Sequence, residues 1–148
     1  MIFSMNAMAE TFEGKPYIGL GGGISMLKAS GGSAASLSLI GTGYYELSER
    51  MGAGVFLGFH PFNATGLRAE MGPSLGLNLG EVLTLMLLPG IAVDDTAGSS
   101  GIGVGGGAAL SLIMPRAGFR HINPAFSCRG YTQVMFACTL SVAHLWSF

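Results

Sequence analysis

The feature that most constrains the fold is the stretch from Tyr131 to Phe148, which contains no charged side chain. From Val134 onward its even-numbered positions are apolar or aromatic, except His144, whereas its odd-numbered positions are mostly smaller or more polar. A two-residue period predicts a β-strand with one apolar face and one mixed face. Aromatic rings near the end of such a strand are typical of a bilayer interface. The alternative is the last strand of a soluble sheet, which has less use for a wholly uncharged strand.

The composition favours a membrane protein with a single domain. Charged residues make up 10% of the 148-residue chain and the mean hydropathy is +0.53, whereas about a quarter of the residues in soluble domains are charged. A surface of this composition would expose too much apolar area to stay monomeric in water. The net charge of −1 and the lack of a basic patch argue against a nucleic-acid partner held by counterion release.

Spanning helices fit the sequence poorly. A spanning helix needs roughly twenty apolar residues. Ser and Gly interrupt the uncharged run Ala97–Pro115, and Pro89 ends the apolar run Val82–Leu88. A barrel strand needs only about 9–11 residues of alternating polarity. We therefore predict an all-β fold, a closed eight-stranded antiparallel transmembrane β-barrel over residues 15–148.

Eight strands and their connections follow from the alternation. The predicted strands are residues 16–27, 36–47, 52–59, 67–79, 82–93, 101–113, 118–123 and 131–148. Connections after strands two, four and six are short, which is the pattern of periplasmic turns with both chain ends in the periplasm. An even strand count lets the last strand pair with the first, so that no open edge meets lipid. The longer, extracellular loops are predicted at Lys28–Gly32, His60–Ala64, Asp94–Ser100 and Pro124–Gly130.

Residues 1–14 are predicted to be an appendage to the barrel. Ala7-Met8-Ala9 before Glu10 is a small-x-small pattern like those that signal peptidase cuts. The preceding segment is too short for a full charged region and apolar core. We expect Met1–Ala9 to be the remnant of a signal peptide, with a chance match as the alternative.

Three charged residues are predicted to face the lumen: Glu46, Arg68 and Glu70. A narrow closed barrel must pair its interior charges, because a buried unpaired charge is costly. A proton path is the functional alternative. A lumen this narrow conducts little, so a porin is not expected.

Other sequence features do not indicate a cofactor. The glycine-rich stretches Gly19–Gly23 and Gly101–Gly107 open no helix within a βαβ unit, so they are interpreted as close-packed strand glycines rather than a phosphate site. Cys128 and Cys138 have no metal or redox spacing and are interpreted as incidental. No cofactor or metal site is predicted.

The final strand, with its terminal Phe148, resembles the last strand of bacterial outer-membrane barrels. The resemblance implies that this ending is read by the barrel-assembly machinery. It also implies an outer-membrane location, with lipid and lipopolysaccharide as partners. The small OmpA/OmpX-like barrels are the nearest group, which implies a structural or surface-interaction role without a large pore. A drifted or artificial barrel with no function is a further alternative.

A second resemblance implies an enzyme. His121-Ile122-Asn123-Pro124-Ala125 and Gly130-Tyr131-Thr132 look like the site motifs of eight-stranded lipid A 3-O-deacylases. The resemblance implies a lipid-facing His121, with Asn123 at the position of the nucleophilic Ser and Thr132 at that of the orienting acid. An amide cannot replace a hydroxyl nucleophile. The alternative function is therefore a lipid A ester hydrolase, either active or degenerate, with the three residues clustered on the lipid face, and enzyme activity stays open.

Overall fold

The chain folds into a closed antiparallel barrel of eight strands, in which β8 pairs with β1. The computed structural model describes residues 14–29, 32–61, 66–80, 83–96, 99–112, 122–132 and 135–148. Among these residues, no helix is long and apolar enough to cross a membrane. The predicted fold class is confirmed. The strands are β1 (Pro16–Ala29), β2 (Gly32–Glu46), β3 (Met51–His60), β4 (Gly66–Asn78), β5 (Leu83–Thr96), β6 (Ser99–Leu112), β7 (Ile122–Tyr131) and β8 (Met135–Ser147).

Alternate side chains point outward and form an apolar exterior. On β8, the large apolar side chains that point outward range from Trp146, 42% exposed, to Leu140, 65% exposed. On β1, Ile18, Leu20 and Ile24 are more than half exposed, whereas Ser25 is fully buried. Exposed aliphatic side chains recur on all eight strands. This is the surface that a barrel presents to hydrocarbon, with its polar side chains kept inside.

The predicted alternation of loop lengths is wrong. We call the end of the barrel that holds Pro16 and Ser147 the terminal end, and the other the distal end. Connections at the distal end are residues 30–31, 61–65, 97–98 and 132–134, and those at the terminal end are 47–50, 79–82 and 113–121. Strands extend into the loops predicted at Lys28–Gly32 and Asp94–Ser100, because polar residues near strand ends look like loop residues in sequence.

The loop predicted at Pro124–Gly130 is also wrong, because these residues belong to β7. Pro124 pairs with Val142 of β8, but pairing with β6 begins only at Ala125. Proline is tolerated near the start of a strand, where one side has no ladder hydrogen bond to lose. Of the strand predicted at 118–123, only the last two residues lie in β7, and 118–121 lie outside the described residues.

Cys128 and Cys138 form a disulfide across the β7–β8 hairpin. They are direct partners in the register, with their Cα atoms 4.1 Å apart. The interpretation of both as incidental is therefore wrong. Their pairing follows from the position of the turn after Tyr131, which places residues equally distant from the turn opposite one another. The misplaced loop in the sequence prediction hid this relationship.

Candidate functional site

Glu70 on β4 is the centre of the polar interior. Its Oε1 accepts hydrogen bonds from Arg129 Nη1 at 2.8 Å and from His60 Nε2 at 3.2 Å. His60 lies on the neighbouring strand β3, whereas Arg129 lies on β7, from which β4 is separated by β5 and β6. The contact between Arg129 and Glu70 therefore crosses the lumen.

These residues belong to a closed circuit of side-chain hydrogen bonds. Arg129 Nη2 donates to Thr139 Oγ1 at 3.1 Å, and the Thr139 and Ser25 hydroxyls lie 2.6 Å apart. The Ser25 and Ser38 hydroxyls are hydrogen-bonded, and Ser38 Oγ lies 2.9 Å from His60 Nδ1, which completes the circuit through Glu70. We call this circuit the polar ring: Ser25, Ser38, His60, Glu70, Arg129 and Thr139.

The polar ring joins six of the eight strands, namely β1, β2, β3, β4, β7 and β8. Each of its members is at most 2% exposed. Each member is bonded to two others, although Glu70 Oε2 and Arg129 Nε have no hydrogen-bond partner among the described residues. In a low-dielectric interior, such a network favours one arrangement, because breaking it leaves further costly unpaired groups. Five of its links join neighbouring strands, and the Arg129–Glu70 link joins β7 to β4 across the lumen.

A second ion pair lies beside the ring. Arg68 Nε donates to Asp94 Oδ2 at 3.1 Å, and the two residues face each other in the β4–β5 register. Of the residues predicted to face the lumen, Arg68 and Glu70 are both buried here but do not pair with each other. The third, Glu46, is buried at the terminal end of β2. The three predicted residues thus occupy the interior without forming one cluster.

Ser38, His60 and Glu70 are connected in the order of a Ser–His–acid triad. Ser38 is only 2% exposed and its hydroxyl is also bonded to Ser25, while Glu70 is neutralised by Arg129. A hydroxyl buried to this degree leaves no room for an ester carbonyl beside it. Across the described ranges, no group of three His, Cys, Asp or Glu could hold a metal ion.

Two of the three residues of the predicted catalytic cluster, Asn123 and Thr132, lie apart. His121 lies outside the described residues. Asn123, near the start of β7, accepts a hydrogen bond from the Ser111 hydroxyl and donates to the carbonyl of Leu112. Thr132 follows the other end of β7 and bonds to the backbone of Val104. The placement of Asn123 and Thr132 side by side is wrong, because they are at opposite ends of the same strand.

Sequence reasoning missed His60, Asp94 and Arg129, which lay in predicted loops. The two-residue period does include these positions. Arg129 alternates with Ser127 and Tyr131 on the same face of β7, and all three are buried. His60 likewise continues the inward positions that begin with Phe56 on β3. Extending the two-residue period through Pro and charged positions would have found them.

Comparisons with known proteins identify the fold. No family model and no curated protein sequence matches the chain. Among solved structures, it is similar to Neisserial surface protein A, with 16% identity, a TM-score of 0.63, and coverage of 93% of this chain and 100% of that one. It is also similar to Ail, the attachment invasion locus protein of Yersinia pestis, in complex with the heparin analogue sucrose octasulfate, with 13% identity, a TM-score of 0.61, and coverage of 91% and 100%. The outer membrane protein Ail in a phospholipid bilayer nanodisc gives 14% identity, a TM-score of 0.52, and coverage of 90% and 100%. At these identities the likeness shows the fold, which is that of a small outer-membrane β-barrel.

Proposed function

We propose that this protein is a bacterial outer-membrane barrel with a structural role in the envelope, and that it does not conduct. The observation that carries the proposal is the buried polar ring inside an apolar exterior. An exterior of this kind requires lipid, and a lumen crossed by fixed side chains offers no continuous water path.

The exterior supports a location in a lipid bilayer. Outward residues such as Leu140 and Leu20 are more than 60% exposed in the isolated chain. His144 and Trp146, whose ring centroids are 4.5 Å apart, lie near the terminal end, where amphipathic rings favour the headgroup region. Outer-membrane lipid and lipopolysaccharide are the proposed partners, and Phe148 is the proposed contact with the barrel-assembly machinery.

The short connections favour a structural role over surface contact through loops. One similar protein was solved with a heparin analogue. Here the distal connections, residues 30–31, 61–65, 97–98 and 132–134, leave little chain with which to enclose a ligand. The geometry does not favour a lipid A ester hydrolase as a second function. Asn123 is hydrogen-bonded to Ser111 and Leu112 of β6, whereas Thr132 is hydrogen-bonded to Val104 at the other end of β7.

Two measurements on one preparation test the proposal. The protein is expressed in a Gram-negative host and its cell membranes are separated by density, then purified protein is placed in planar bilayers with a general porin as the positive control. We expect the protein in the outer-membrane fraction and no stepwise conductance. Accumulation in a soluble fraction would contradict the location, and porin-like conductance steps would contradict the sealed lumen.

A further inference from the structure

The Cys128–Cys138 disulfide lies on the outer face of the β7–β8 hairpin. On β8, Cys138 stands between the exposed outward residues Phe136 and Leu140. On β7, Cys128 follows the exposed outward residue Phe126 by two positions. The residues next to each cysteine in the chain are all buried. Because successive side chains of a strand point to opposite faces, both sulfur atoms are on the side of the barrel that faces lipid.

The disulfide lies within the apolar band of the exterior. Cys138 pairs with Met26 of β1, two residues before Lys28, which is exposed and pairs with Phe136. A lysine at the edge of the band extends its ammonium group to the headgroups while its stem stays along apolar surface. Trp146 is at the opposite, terminal edge of the same strand. The sulfur atoms are therefore in hydrocarbon, on the membrane side of the distal headgroups.

This position restricts the chemistry that reaches the two cysteines. A disulfide forms when a thiolate attacks the disulfide of an oxidant, and the second thiolate then attacks the mixed disulfide. A charged thiolate is costly in hydrocarbon, and a charged oxidant or reductant from water is excluded from it. In the unfolded chain both thiols are in water and ionise normally. The bond is thus easily made before the barrel is in lipid, and is shielded afterwards.

We propose that a water-soluble disulfide oxidant closes the Cys128–Cys138 bond before the chain enters the membrane, so that dithiol oxidation is a step of assembly that precedes insertion. The two thiols lose two protons and two electrons, and the oxidant's disulfide is reduced to two thiols. The bacterial periplasm is an oxidising compartment in which such exchange takes place. The inference rests on the proposed location of the barrel in the outer membrane.

The early bond has a consequence for barrel closure. Because Cys128 and Cys138 are direct partners in the β7–β8 register, the bond holds this hairpin in the native register. A slip of one residue would turn the lumenal face of β8 toward lipid. The oxidised hairpin therefore brings β8 to β1 with Cys138 opposite Met26, which is the register of the closed barrel.

Shielding by lipid is tested by reducing the bond in phospholipid nanodiscs, which leave both membrane faces open. The charged, water-soluble reductant is tris(2-carboxyethyl)phosphine, and tributylphosphine is the reductant that enters hydrocarbon. The control is a glutathione mixed disulfide on Glu49→Cys, in an exposed turn, made in a Cys128→Ser, Cys138→Ser background. We expect the charged phosphine to reduce the native bond at least about tenfold more slowly than the control, because it is excluded from hydrocarbon. In urea the two should react at similar rates, and tributylphosphine should reduce both in nanodiscs.

The order of the two events is tested with the reduced chain. Oxidised glutathione added in urea should close the bond, whereas the same reagent added after folding and transfer to nanodiscs should leave the thiols free. A reduced chain that does not fold would also support oxidation before insertion.

Bond formation at the same rate in both states would overturn the proposal, as would reduction of the native bond by the charged phosphine as fast as the control. A native bond that also resists tributylphosphine would be shielded by protein rather than by lipid, and would overturn it too. Protein that enters nanodiscs and gives any of these results contradicts this inference alone and leaves the proposed location intact.

Discussion

Arg129 on β7 and Glu70 on β4 form an ion pair of 2.8 Å, between Nη1 and Oε1, across the interior of the barrel. Their side chains are 3% and 0% exposed, respectively. Neighbouring strands are held by backbone hydrogen bonds, whereas this contact joins strands that have β5 and β6 between them. The ion pair therefore links β4 and β7 directly, which the backbone hydrogen bonds between neighbouring strands do not do.

Removing the Arg129 guanidinium from the ion pair with Glu70 should destabilise the fold. Arg129→Met removes the ion pair of the buried Glu70 carboxylate and leaves His60 bonded to its Oε1. We therefore expect a loss of about 3–5 kcal/mol in the free energy of unfolding. Urea titration of the protein in lipid vesicles measures it. The exposed turn residue Arg50 is the matched control, because Arg50→Met should change stability by about 0.5 kcal/mol or less. Adding Glu70→Gln to Arg129→Met should recover part of this loss, because it removes the unpaired carboxylate. Equal urea midpoints of unfolding for the wild type and Arg129→Met would show that the ion pair does not stabilise the barrel.

Gly58 makes room for Glu70, its direct partner in the β3–β4 register. A Cβ at Gly58 would lie 2.5 Å from Glu70 Oε1. Gly58→Ala should therefore displace the carboxylate and lower stability by about 1–3 kcal/mol. Gly41→Ala is the control, since its Cβ would lie 3.7 Å from Leu57 Cβ, which is an ordinary van der Waals contact. If both variants unfold at the same urea concentration, the packing around Glu70 is looser than described.

The Cys128–Cys138 disulfide should stabilise the last hairpin. It closes a loop with a sequence separation of 10 residues, for which the loss of chain entropy in the unfolded state predicts a contribution of up to about 3 kcal/mol. Cys128→Ser with Cys138→Ser should lower the unfolding midpoint, and dithiothreitol should lower that of the wild type but not that of the variant. A wild-type protein that is insensitive to reductant would show that the bond contributes little.

The depth of the exterior residues can be measured with arginine substitutions. Leu140, near the middle of β8 and 65% exposed, should face the hydrocarbon core, so Leu140→Arg should cost about 2–4 kcal/mol. Leu47, beyond the end of β2 and 59% exposed, should lie near the interface, where the same change costs about 0–1 kcal/mol. In a soluble protein both are exposed surface positions, so two small and equal effects would contradict a lipid-facing exterior.

The apolar exterior could be predicted from sequence, because the two-residue period alone assigns Ile18, Ile24 and Leu140 to the outer face. The interior could be predicted only in part. Glu70 stood in an unbroken alternation and was assigned to the lumen, whereas Arg129 followed Pro124 and Cys128 and was assigned to a loop. Its partner across the barrel could not be inferred, because that contact depends on the curvature and register of strands that are not adjacent.

The positions of the turns explain the remaining errors. Polar residues mark loops in soluble proteins, but in this barrel Asp94 and His60 are buried and their polar atoms are satisfied in part by Arg68 and Glu70. The cluster expected from Asn123 and Thr132 failed for the same reason, since a loop was placed where β7 runs. A shift in turn position moves every later pairing in a hairpin.

Cross-strand nuclear Overhauser effects between β1 and β8, recorded in phospholipid nanodiscs, test the closed barrel most directly. The structure pairs Gly22 with Val142 and Ile24 with Leu140, and we predict contacts between these strands in that register. The β1–β2 and β7–β8 contacts serve as internal controls for spectral quality. Contacts within both hairpins but none between β1 and β8 would show an open sheet and contradict the closed barrel.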